Sequence, residues 1–333
     1  MTSGDILKRL FASFQRNDSL EFYKTAKDLI AEEEQRNHHV LAHDLQKILD
    51  NGNGKTISSF HKYNFEQLPQ DKERGTSLIE IKEPQRYQDE LIVSQDLNEQ
   101  ISLVLQEYRA LQILEANNLK GRQKLLFAGP PGCGKTLCAE VIAAELGLPL
   151  IYTRFDAVIS SYLGETAANL RKVFDFAQHG TWVVFFDEFD AIGKSREDVE
   201  DHGELKRVVN TFLQLLDNFV SDSIFIAATN HEKLLDKALW RRFDDILYFE
   251  EPTEEQIYRL IEFKLRNFRH SELQIDNFIE KMAGWSHADI ERVCLEARKI
   301  SVLEHDTNLT NKSFLKAFER QRKRIEVVHK TSM

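Results

Sequence analysis

The sequence contains few cysteines and no long apolar run. Only three cysteines, Cys133, Cys138 and Cys294, occur among its 333 residues. They are too few for the disulfide framework of a small secreted domain, so a reducing compartment is expected. No apolar stretch approaches the ~20 residues of a membrane-spanning helix, and the N-terminal residues lack the apolar stretch of a signal peptide. We therefore expect a cytoplasmic protein with no membrane partner.

The sequence also lacks metal-binding clusters, internal repeats and an excess of basic residues. No group of Cys and His residues has the spacing of a structural metal site. The 44 Lys and Arg residues are outnumbered by 54 Asp and Glu residues, which gives a formal charge of −10. This acidic balance argues against nonspecific binding to nucleic acid. Residues 316–330 are locally basic, and we interpret them as a solvated helix end.

The rest of the composition is that of a globular protein, with 42% hydrophobic and 29% charged residues. At roughly 100–200 residues per domain, the length predicts about two domains. Residues 1–54 carry apolar side chains at helical spacing and are predicted to form a helical N-terminal domain. Residues 55–90 are polar and poorly periodic. We treat them as a linker, with one candidate short strand at Leu78–Lys82.

From about Leu91 onward, apolar runs alternate with amphipathic helical patterns. The predicted strands are Lys124–Gly129, Leu150–Thr153, Trp182–Asp187, Ile224–Thr229 and Ile246–Phe249. Such alternation predicts an α/β fold in which a parallel sheet carries flanking helices on both faces. After Pro252 only helical patterns follow. We therefore expect an α/β subdomain over residues 91–251 and an all-helical subdomain with the basic tail over residues 252–333.

A glycine-rich loop follows the first of these strands and precedes a helix. Its sequence fits the phosphate-binding pattern G-x-x-x-x-G-K-[ST], so the sheet is predicted to be of the P-loop type. Glycines let backbone N–H groups turn towards phosphate oxygens, and the helix N-terminus adds its positive dipole end. Lys135 is expected to neutralise the β- and γ-phosphates of a nucleotide, and the Thr136 hydroxyl to bind Mg²⁺. The predicted nucleotide-binding residues are Gly129, Pro130, Pro131, Gly132, Cys133, Gly134, Lys135, Thr136 and Leu137.

Two carboxylates end a later apolar strand. Asp187 and Glu188 directly follow the run Trp182–Phe186. Asp187 is the candidate second ligand of Mg²⁺, acting through its hydration shell, and Glu188 is the candidate general base for the attacking water. Taken alone, acidic residues at a strand end more often mark the point where the strand reaches solvent. The phosphate-binding loop makes the catalytic interpretation the stronger one.

With these two motifs in place, the sequence resembles the AAA ATPase family from about Leu91 to Arg324. The resemblance implies that the protein binds and hydrolyses ATP with Mg²⁺. Asn230 follows the strand Ser223–Thr229 and matches the family's sensor asparagine, which implies a contact with the γ-phosphate. A turn residue is the alternative interpretation of an isolated asparagine after a strand.

The segment Gly284–Ile290 resembles the motif that begins a helix of the family's C-terminal lid. The resemblance implies that the all-helical subdomain is that lid. Ser286 and Asp289 also fit an ordinary capping box at a helix start, and both interpretations can hold. His287 is predicted to be a surface residue rather than a ligand.

The adjacent Arg241 and Arg242 match the family segment whose arginines reach into the nucleotide site of a neighbouring subunit. A planar guanidinium suits that role because it pairs bidentately with a developing phosphate charge. A surface salt bridge to Asp244 or Asp245 is the alternative. Family members often have extra residues between the two arginines, so which of them contacts phosphate stays open. The resemblance implies a homo-oligomeric ring, typically a hexamer.

Tyr162, Leu163 and Gly164 resemble the family's first pore loop, an aromatic, aliphatic and glycine triplet before a helix. An aromatic side chain on a glycine loop can grip an extended peptide by apolar contact and release it as the nucleotide state changes. The alternative is that Tyr162 packs at a helix start.

The resemblance implies a remodeller or unfoldase that threads a protein substrate. The arrangement of a short helical N-terminal domain before this ATPase resembles small bacterial AAA ATPases paired with a subtilisin-like serine protease and linked to phage defence. A second hypothesis is an ATP-gated assembly scaffold or DNA-binding switch in which hydrolysis is incidental. An intact Glu188 argues against a purely non-hydrolysing role.

Overall fold

The structure is a computed structural model that describes residues 9, 13, 24–30, 68–71, 75–154, 158, 163–190, 202–231, 237–270, 273–304 and 308–331. Contacts divide the chain into two compact units, Met1–Gln67 and Leu68–Met333. In the first unit, residues 24–30 are helical and Ile30 is buried, which agrees with the helical spacing in that stretch. Most of the predicted N-terminal domain lies outside the described residues, and its boundary stays a prediction.

The second unit is built on a six-stranded, mostly parallel sheet. Its strand order is β1-β3-β4-β5-β2-β6, and only the edge strand β1 is antiparallel to its neighbour. The strands are β1 Glu80–Lys82, β2 Lys124–Ala128, β3 Leu150–Arg154, β4 Val183–Asp187, β5 Ile224–Thr229 and β6 Asp245–Tyr248. The prediction of an α/β fold with a parallel sheet is confirmed, and no end of the five predicted strands from β2 to β6 is displaced by more than one residue.

Strand β1 comes from the polar segment that the sequence assigns to a linker. Ile81 pairs with Ile151 of β3, and the preceding Leu78 and Ile79 are buried. The candidate short strand in this segment is therefore present, and it adds the edge of the sheet.

The helices surround the sheet and continue after it. They are α1 Gln95–Arg109, α2 Leu111–Ala116, α3 Lys135–Leu146, α4 Leu163–Gln178, α5 His202–Asp217, α6 Lys237–Trp240, α7 Glu254–Leu265, α8 Asp276–Ile279, α9 His287–Leu303 and α10 Asn311–Thr331. Polar side chains cap several of their N-termini. The predicted capping box at the start of α9 is confirmed, since Ser286 accepts from the backbone of Asp289 and the Asp289 side chain accepts from the backbone of Ser286.

Side chains from the two faces of the sheet enter different apolar layers. Phe185 and Phe127 belong to a core shared with α1 and α3. On the opposite face, the ring of Phe186 packs against Phe174 of α4 and Phe212 of α5. Burial on both faces explains why the central strands are continuous apolar runs rather than alternating ones.

The helices after the sheet have a core of their own. It contains buried side chains from four helices, among them Leu260 of α7, Val293 of α9 and Phe314 of α10. The segment before α1 belongs to both cores, because Leu91 packs with the sheet core and Ile92 with the core of these C-terminal helices. Among the described residues, no helix is long and apolar enough to cross a membrane.

Candidate nucleotide-binding site

The glycine-rich loop connects β2 to α3 at the carboxyl edge of the sheet. Strand β2 lies between β5 and β6, and the sequence continues into β3 on the far side of β5 and β4. In open α/β sheets, ligands bind at the carboxyl ends of the strands near such a change of direction. Asp187 at the end of β4 and Asn230 after β5 lie at the same edge.

The loop takes a path that requires glycine. Gly129 and Gly132 have φ values of 137° and 77°, in the region that favours glycine. A Cβ at Gly129 would lie 2.1 Å from the carbonyl oxygen of Phe249, and one at Gly132 would lie 2.8 Å from Ser286 Oγ. Glycine turns of this kind before a helix N-terminus form anion-binding concavities.

Lys135 is buried at the first turn of α3. Its Nζ donates hydrogen bonds to the carbonyl oxygens of Gly129 at 2.7 Å and Pro130 at 2.8 Å. These bonds hold the ammonium group against the loop, where a phosphate charge would be neutralised at short range. Gly129 and Pro130 thus serve the site through their carbonyl groups.

Thr136 and Asp187 come together from distant parts of the sequence. Thr136 Oγ1 lies 3.4 Å from Asp187 Oδ2. A hydroxyl and a carboxylate at this separation are hard oxygen ligands of the kind that Mg²⁺ prefers. The donor set therefore fits the predicted metal, with Asp187 half-buried beside the loop.

The backbone turns sharply at Glu188. This residue has a φ of 54°, which a non-glycine residue adopts at a cost of about 1–3 kcal/mol. The turn is held on both sides, because the Glu188 amide donates to Asp187 Oδ1 at 2.9 Å and the Phe189 amide donates to the carbonyl of Ala228 at 2.8 Å. Phe189 is buried, whereas Glu188 is exposed. The strand end therefore presents the Glu188 carboxylate to solvent rather than continuing straight.

A third carboxylate, that of Asp190, holds Asn230 at this edge. Asp190 is buried, and its Oδ1 accepts a hydrogen bond of 3.3 Å from the backbone amide of Asn230. The sequence analysis missed this contact. The available signal was the short acidic run Asp187-Glu188-Phe189-Asp190, in which only the first two carboxylates were assigned a role.

Most of the predicted site residues line one cleft of about 330 Å³. Residues 131–137 of the loop and helix line it, together with Asp187, Glu188 and Asn230. Its opposite wall comes from residues without a predicted role, namely Glu90, Leu91, Ile92, Leu260, Lys264, Ala288 and Glu291, and from His287. No pattern in the sequence predicts that these side chains lie beside the loop.

The prediction that His287 is a surface residue is wrong. The residue is half-buried and lines the cleft, and both its ring nitrogens are buried. Burial lowers the pKa of the imidazole, and the neighbouring Ile92 backbone partly offsets that effect. The ring is therefore held as the neutral form. The error arose because a polar residue at a helix start is usually solvated, and here the start of α9 packs against the loop.

The cysteine of the loop is a buried one. Cys133 is buried, and burial raises the pKa of its thiol even though Lys135 acts in the opposite direction. A raised pKa leaves little thiolate at neutral pH. Cys133 therefore serves the loop by packing, within the apolar core that α1 and α3 share.

The two arginines lie in the turn after α6, and neither is among the residues that line the cleft. Arg241 is exposed, whereas Arg242 Nε lies 3.5 Å from Asp217 Oδ2 at the end of α5. The acidic neighbours that were considered as partners are used elsewhere. Asp244 Oδ2 accepts from the backbone amides of residues 123 and 124, and Asp245 pairs with Arg122.

The predicted pore loop falls mostly outside the described residues. Tyr162 is not among them. Leu163 and Gly164 form the first turn of α4, so two residues of the triplet lie in the helix that they were predicted to precede. The gripping role of the triplet stays a prediction.

Comparisons with known proteins agree with this geometry. The profile of the family described as "ATPase family associated with various cellular activities (AAA)" matches residues 125–251. The chain is 40% identical to an uncharacterized AAA family ATPase, y4kL, of Sinorhizobium fredii, and the match covers 97% of both chains.

Two further relatives are larger proteins. The chain is 33% identical to a cell division cycle protein 48 homolog of Archaeoglobus fulgidus over 58% of its own length and 27% of the relative. It is 32% identical to the proteasome-activating nucleotidase of Pyrococcus horikoshii over 68% of its own length and 58% of the relative. The chain thus spans less than two thirds of both. The near full-length match with an AAA family ATPase and the profile match over the sheet show that this chain belongs to the AAA family of ATPases.

Proposed function

We propose that this protein hydrolyses ATP to ADP and phosphate in a Mg²⁺-dependent reaction. The observation that carries the proposal is the meeting of three groups at one edge of the sheet. Thr136 lies beside Asp187, and the turn after Asp187 presents Glu188 to the same cleft. A hydroxyl, a carboxylate for the metal and a free carboxylate for water beside a phosphate-binding loop are the parts that phosphoryl transfer to water requires.

We assign each residue of the site a role according to its position in the cleft. The loop from Gly129 to Gly134 surrounds the phosphates, and Lys135 neutralises their charge. Asn230, fixed through its backbone by Asp190, contacts the γ-phosphate. Glu188 would accept a proton from the attacking water, since its carboxylate is exposed at the cleft.

Thr136 and Asp187 would hold the Mg²⁺ ion. When bound, the ion supplies positive charge to the β- and γ-phosphate oxygens. The Asp187 carboxylate accepts hydrogen bonds on both oxygens and is therefore fixed in orientation.

We further propose that ATP is hydrolysed in a homo-oligomeric ring, with six subunits as the family resemblance implies. Arg241 supports this proposal, because it is exposed and does not line the cleft of its own subunit. An arginine from a neighbouring copy would complete the charge around the γ-phosphate. The C-terminal helices after Pro252 act as the lid of this site, and α9 supplies part of its wall.

The task of the ring is proposed to be the remodelling or unfolding of a protein substrate. The similarity to a proteasome-activating nucleotidase supports it, as does the resemblance of the sequence Tyr162-Leu163-Gly164 to the family's pore loop. A subtilisin-like protease partner and a role in phage defence are finer proposals that rest on the resemblance alone.

The alternative of a DNA-binding switch receives no support from the basic tail. Three of the basic side chains in α10 pair with glutamates: Lys316 with Glu304, Arg320 with Glu296 and Arg322 with Glu319. Pairing of this kind is expected of a solvated helix. It leaves less positive charge for a phosphate backbone.

The experiment compares wild type, Glu188→Gln and the control Glu115→Gln, which changes an exposed glutamate on α2. Phosphate release from ATP and Mg²⁺ should fall by about 10²–10⁴-fold in Glu188→Gln, because the general base is lost. Its ATP affinity should stay within a few-fold of wild type, and Glu115→Gln should match wild type in both measurements. Unchanged turnover in Glu188→Gln would show that Glu188 is not the base.

The mass of Glu188→Gln in solution with ATP, with ADP and without nucleotide tests the ring. We expect a ring with ATP, and its pull-down should retain the substrate or partner. A monomer under all three conditions would contradict shared active sites.

A further inference from the structure

We propose that Tyr152 is a positioning residue that orients Asp187 for the metal, by a hydrogen bond from its hydroxyl group to the carboxylate. The inference rests on the proposed function, since it assigns a role at the same site. Neither the sequence motifs nor the similarity to the relatives named above assigns Tyr152 a role. The hydroxyl lies 2.8 Å from Asp187 Oδ2, closer than the Thr136 hydroxyl at 3.4 Å.

The register of the sheet explains why a tyrosine reaches this carboxylate. Tyr152 of β3 lies opposite Phe185 of β4, and the two rings pack with centroids 5.7 Å apart. Asp187 is two residues beyond Phe185 and therefore on the same face. The tyrosine side chain is long enough to reach this diagonal neighbour, as the 2.8 Å contact shows. A phenylalanine at this position would keep the packing and lose the bond.

Lys82 of the edge strand β1 adds positive charge to the same tyrosine. Its Nζ lies 4.0 Å from the centre of the Tyr152 ring, and it also pairs with Glu80 at 3.7 Å. A cation over the ring draws electron density from it, which makes the hydroxyl a stronger donor. The short strand from the polar segment before Leu91 thus contributes indirectly to the carboxylate at the metal site.

The hydrogen bonds that Asp187 accepts fix the orientation of its carboxylate. A carboxylate offers about four lone-pair positions. Two donors, Tyr152 and Thr136, use Oδ2, and the Glu188 amide uses Oδ1. The tyrosine hydroxyl is neutral, so it fixes the orientation of the carboxylate without cancelling the charge that the metal requires. Partners of this kind behind a metal ligand are typically worth about 10–100-fold in metal affinity.

The test measures binding rather than turnover, in full-length protein carrying Glu188→Gln. Binding of ATP is titrated with Mg²⁺, and the affinity in EDTA is the reference. Tyr152→Phe should bind ATP in EDTA with an affinity within about twofold of that of the parent. The Mg²⁺ concentration that gives half of the Mg²⁺-dependent gain in ATP binding should rise by about tenfold. Lys82→Met keeps the tyrosine hydroxyl and should raise this Mg²⁺ concentration by a smaller factor, about twofold. Binding of Mn²⁺ in the presence of ATP, followed by electron paramagnetic resonance, should weaken in the same order.

The outcomes separate the inference from the proposed function. An unchanged Mg²⁺ midpoint in Tyr152→Phe, with an unchanged melting temperature, would overturn the inference and leave Tyr152 as a packing residue. Equal losses of affinity in Mg²⁺ and in EDTA would also overturn it, because they would indicate damage to the loop. If the Glu188→Gln parent binds ATP without any dependence on Mg²⁺, both the proposed metal site and the inference about Tyr152 are wrong. If Tyr152→Phe is destabilised, Mn²⁺ binding is compared at a temperature at which the variant is folded, and an affinity equal to that of the parent would overturn the inference.

Discussion

The backbone amide of Ala288 donates a hydrogen bond of 3.0 Å to the carbonyl oxygen of Gly132. The first residue belongs to α9 among the C-terminal helices, and the second to the phosphate-binding loop of the sheet. Residue 132 also approaches Ser286, so the helix start and the loop fit together without space between them. A movement of the loop on nucleotide binding is therefore expected to displace the N-terminus of α9. This contact is a physical route from the phosphates to the C-terminal helices.

This contact predicts that Gly132→Ala weakens both folding and ATP binding. The new Cβ would lie 2.8 Å from Ser286 Oγ and 3.1 Å from the Cβ of Ala288, and the φ of 77° is strained for any side chain. We expect a loss of about 2–3 kcal/mol in the free energy of unfolding, from backbone strain together with overpacking. The dissociation constant for ATP should rise at least tenfold. Urea unfolding and equilibrium ATP binding measure the two effects.

Gly75→Ala is the matched control. Gly75 has a similar φ of 62°, but a Cβ there would meet no atom within 4 Å. It should cost about 1–2 kcal/mol through strain alone and leave the affinity for ATP unchanged. Equal ATP affinities in Gly132→Ala and wild type would contradict the close fit between the loop and α9.

Lys135→Met is predicted to abolish measurable ATP binding at concentrations that saturate wild type. The buried ammonium faces the loop, and its removal leaves the phosphate charge without its principal cation. A hundredfold loss in affinity, about 2.8 kcal/mol, is the minimum that we expect. Lys120→Met, at an exposed position before β2, is the control and should bind ATP like wild type. Wild-type affinity in Lys135→Met would contradict the assignment of the loop.

The sheet and the loop could be predicted from sequence because both depend on local signals. Apolar runs of strand length and the pattern from Gly129 to Thr136 are contained in short windows of the chain. The acidic strand end was identified for the same reason. Asp187 and Glu188 directly follow the apolar run Trp182–Phe186 in the sequence.

The opposite wall of the cleft could not be predicted, because it depends on packing between distant segments. Ile92 belongs to the core of the C-terminal helices and Leu91 to that of the sheet, a division that no local pattern encodes. The same applies to His287 and to Tyr152. The first looked like a solvated helix start, and the second reaches its partner only through the register of two parallel strands.

The structure leads us to expect different effects from the two adjacent arginines. Arg241 is exposed, whereas Arg242 pairs with Asp217 in the same subunit. Arg241→Ala should therefore lower ATP hydrolysis by at least tenfold with little change in ATP affinity, as expected of a finger that acts in a neighbouring site. Arg242→Ala should have the smaller effect on hydrolysis. Its surface ion pair is worth about 0–1 kcal/mol of stability.

Mixing subunits tests whether the arginine acts in a neighbouring site. Arg241→Ala subunits have an intact general base, and Glu188→Gln subunits have intact arginines. A mixture should recover part of the phosphate release that both variants lack, because some sites then combine a good base with a good arginine. Arg242→Ala mixed in the same way should show no comparable gain. Failure of every mixture to recover activity would contradict a shared site.

His287 predicts a specific dependence of stability on pH. Its two ring nitrogens are buried, and burial lowers its pKa from the ordinary 6.5, although the Ile92 backbone acts in the opposite direction. When the pH falls through about 6.5, the unfolded chain takes up a proton that the folded protein resists. The unfolded state therefore gains stability, and the free energy of unfolding decreases towards acid by at most about 1.4 kcal/mol per pH unit.

The variant His287→Gln isolates this contribution, because glutamine keeps a polar side chain and does not titrate. The free energy of unfolding of wild type minus that of His287→Gln should be constant above about pH 7 and should decrease below about pH 6.5. The charged groups that line the same cleft, Glu90, Lys264 and Glu291, are the same in both proteins. A difference that stays constant from pH 7.5 to 5.5 would mean that the folded protein binds the proton as readily as the unfolded chain. In that case the imidazole would be solvated, and the close packing of α9 against the phosphate-binding loop would be wrong at this residue.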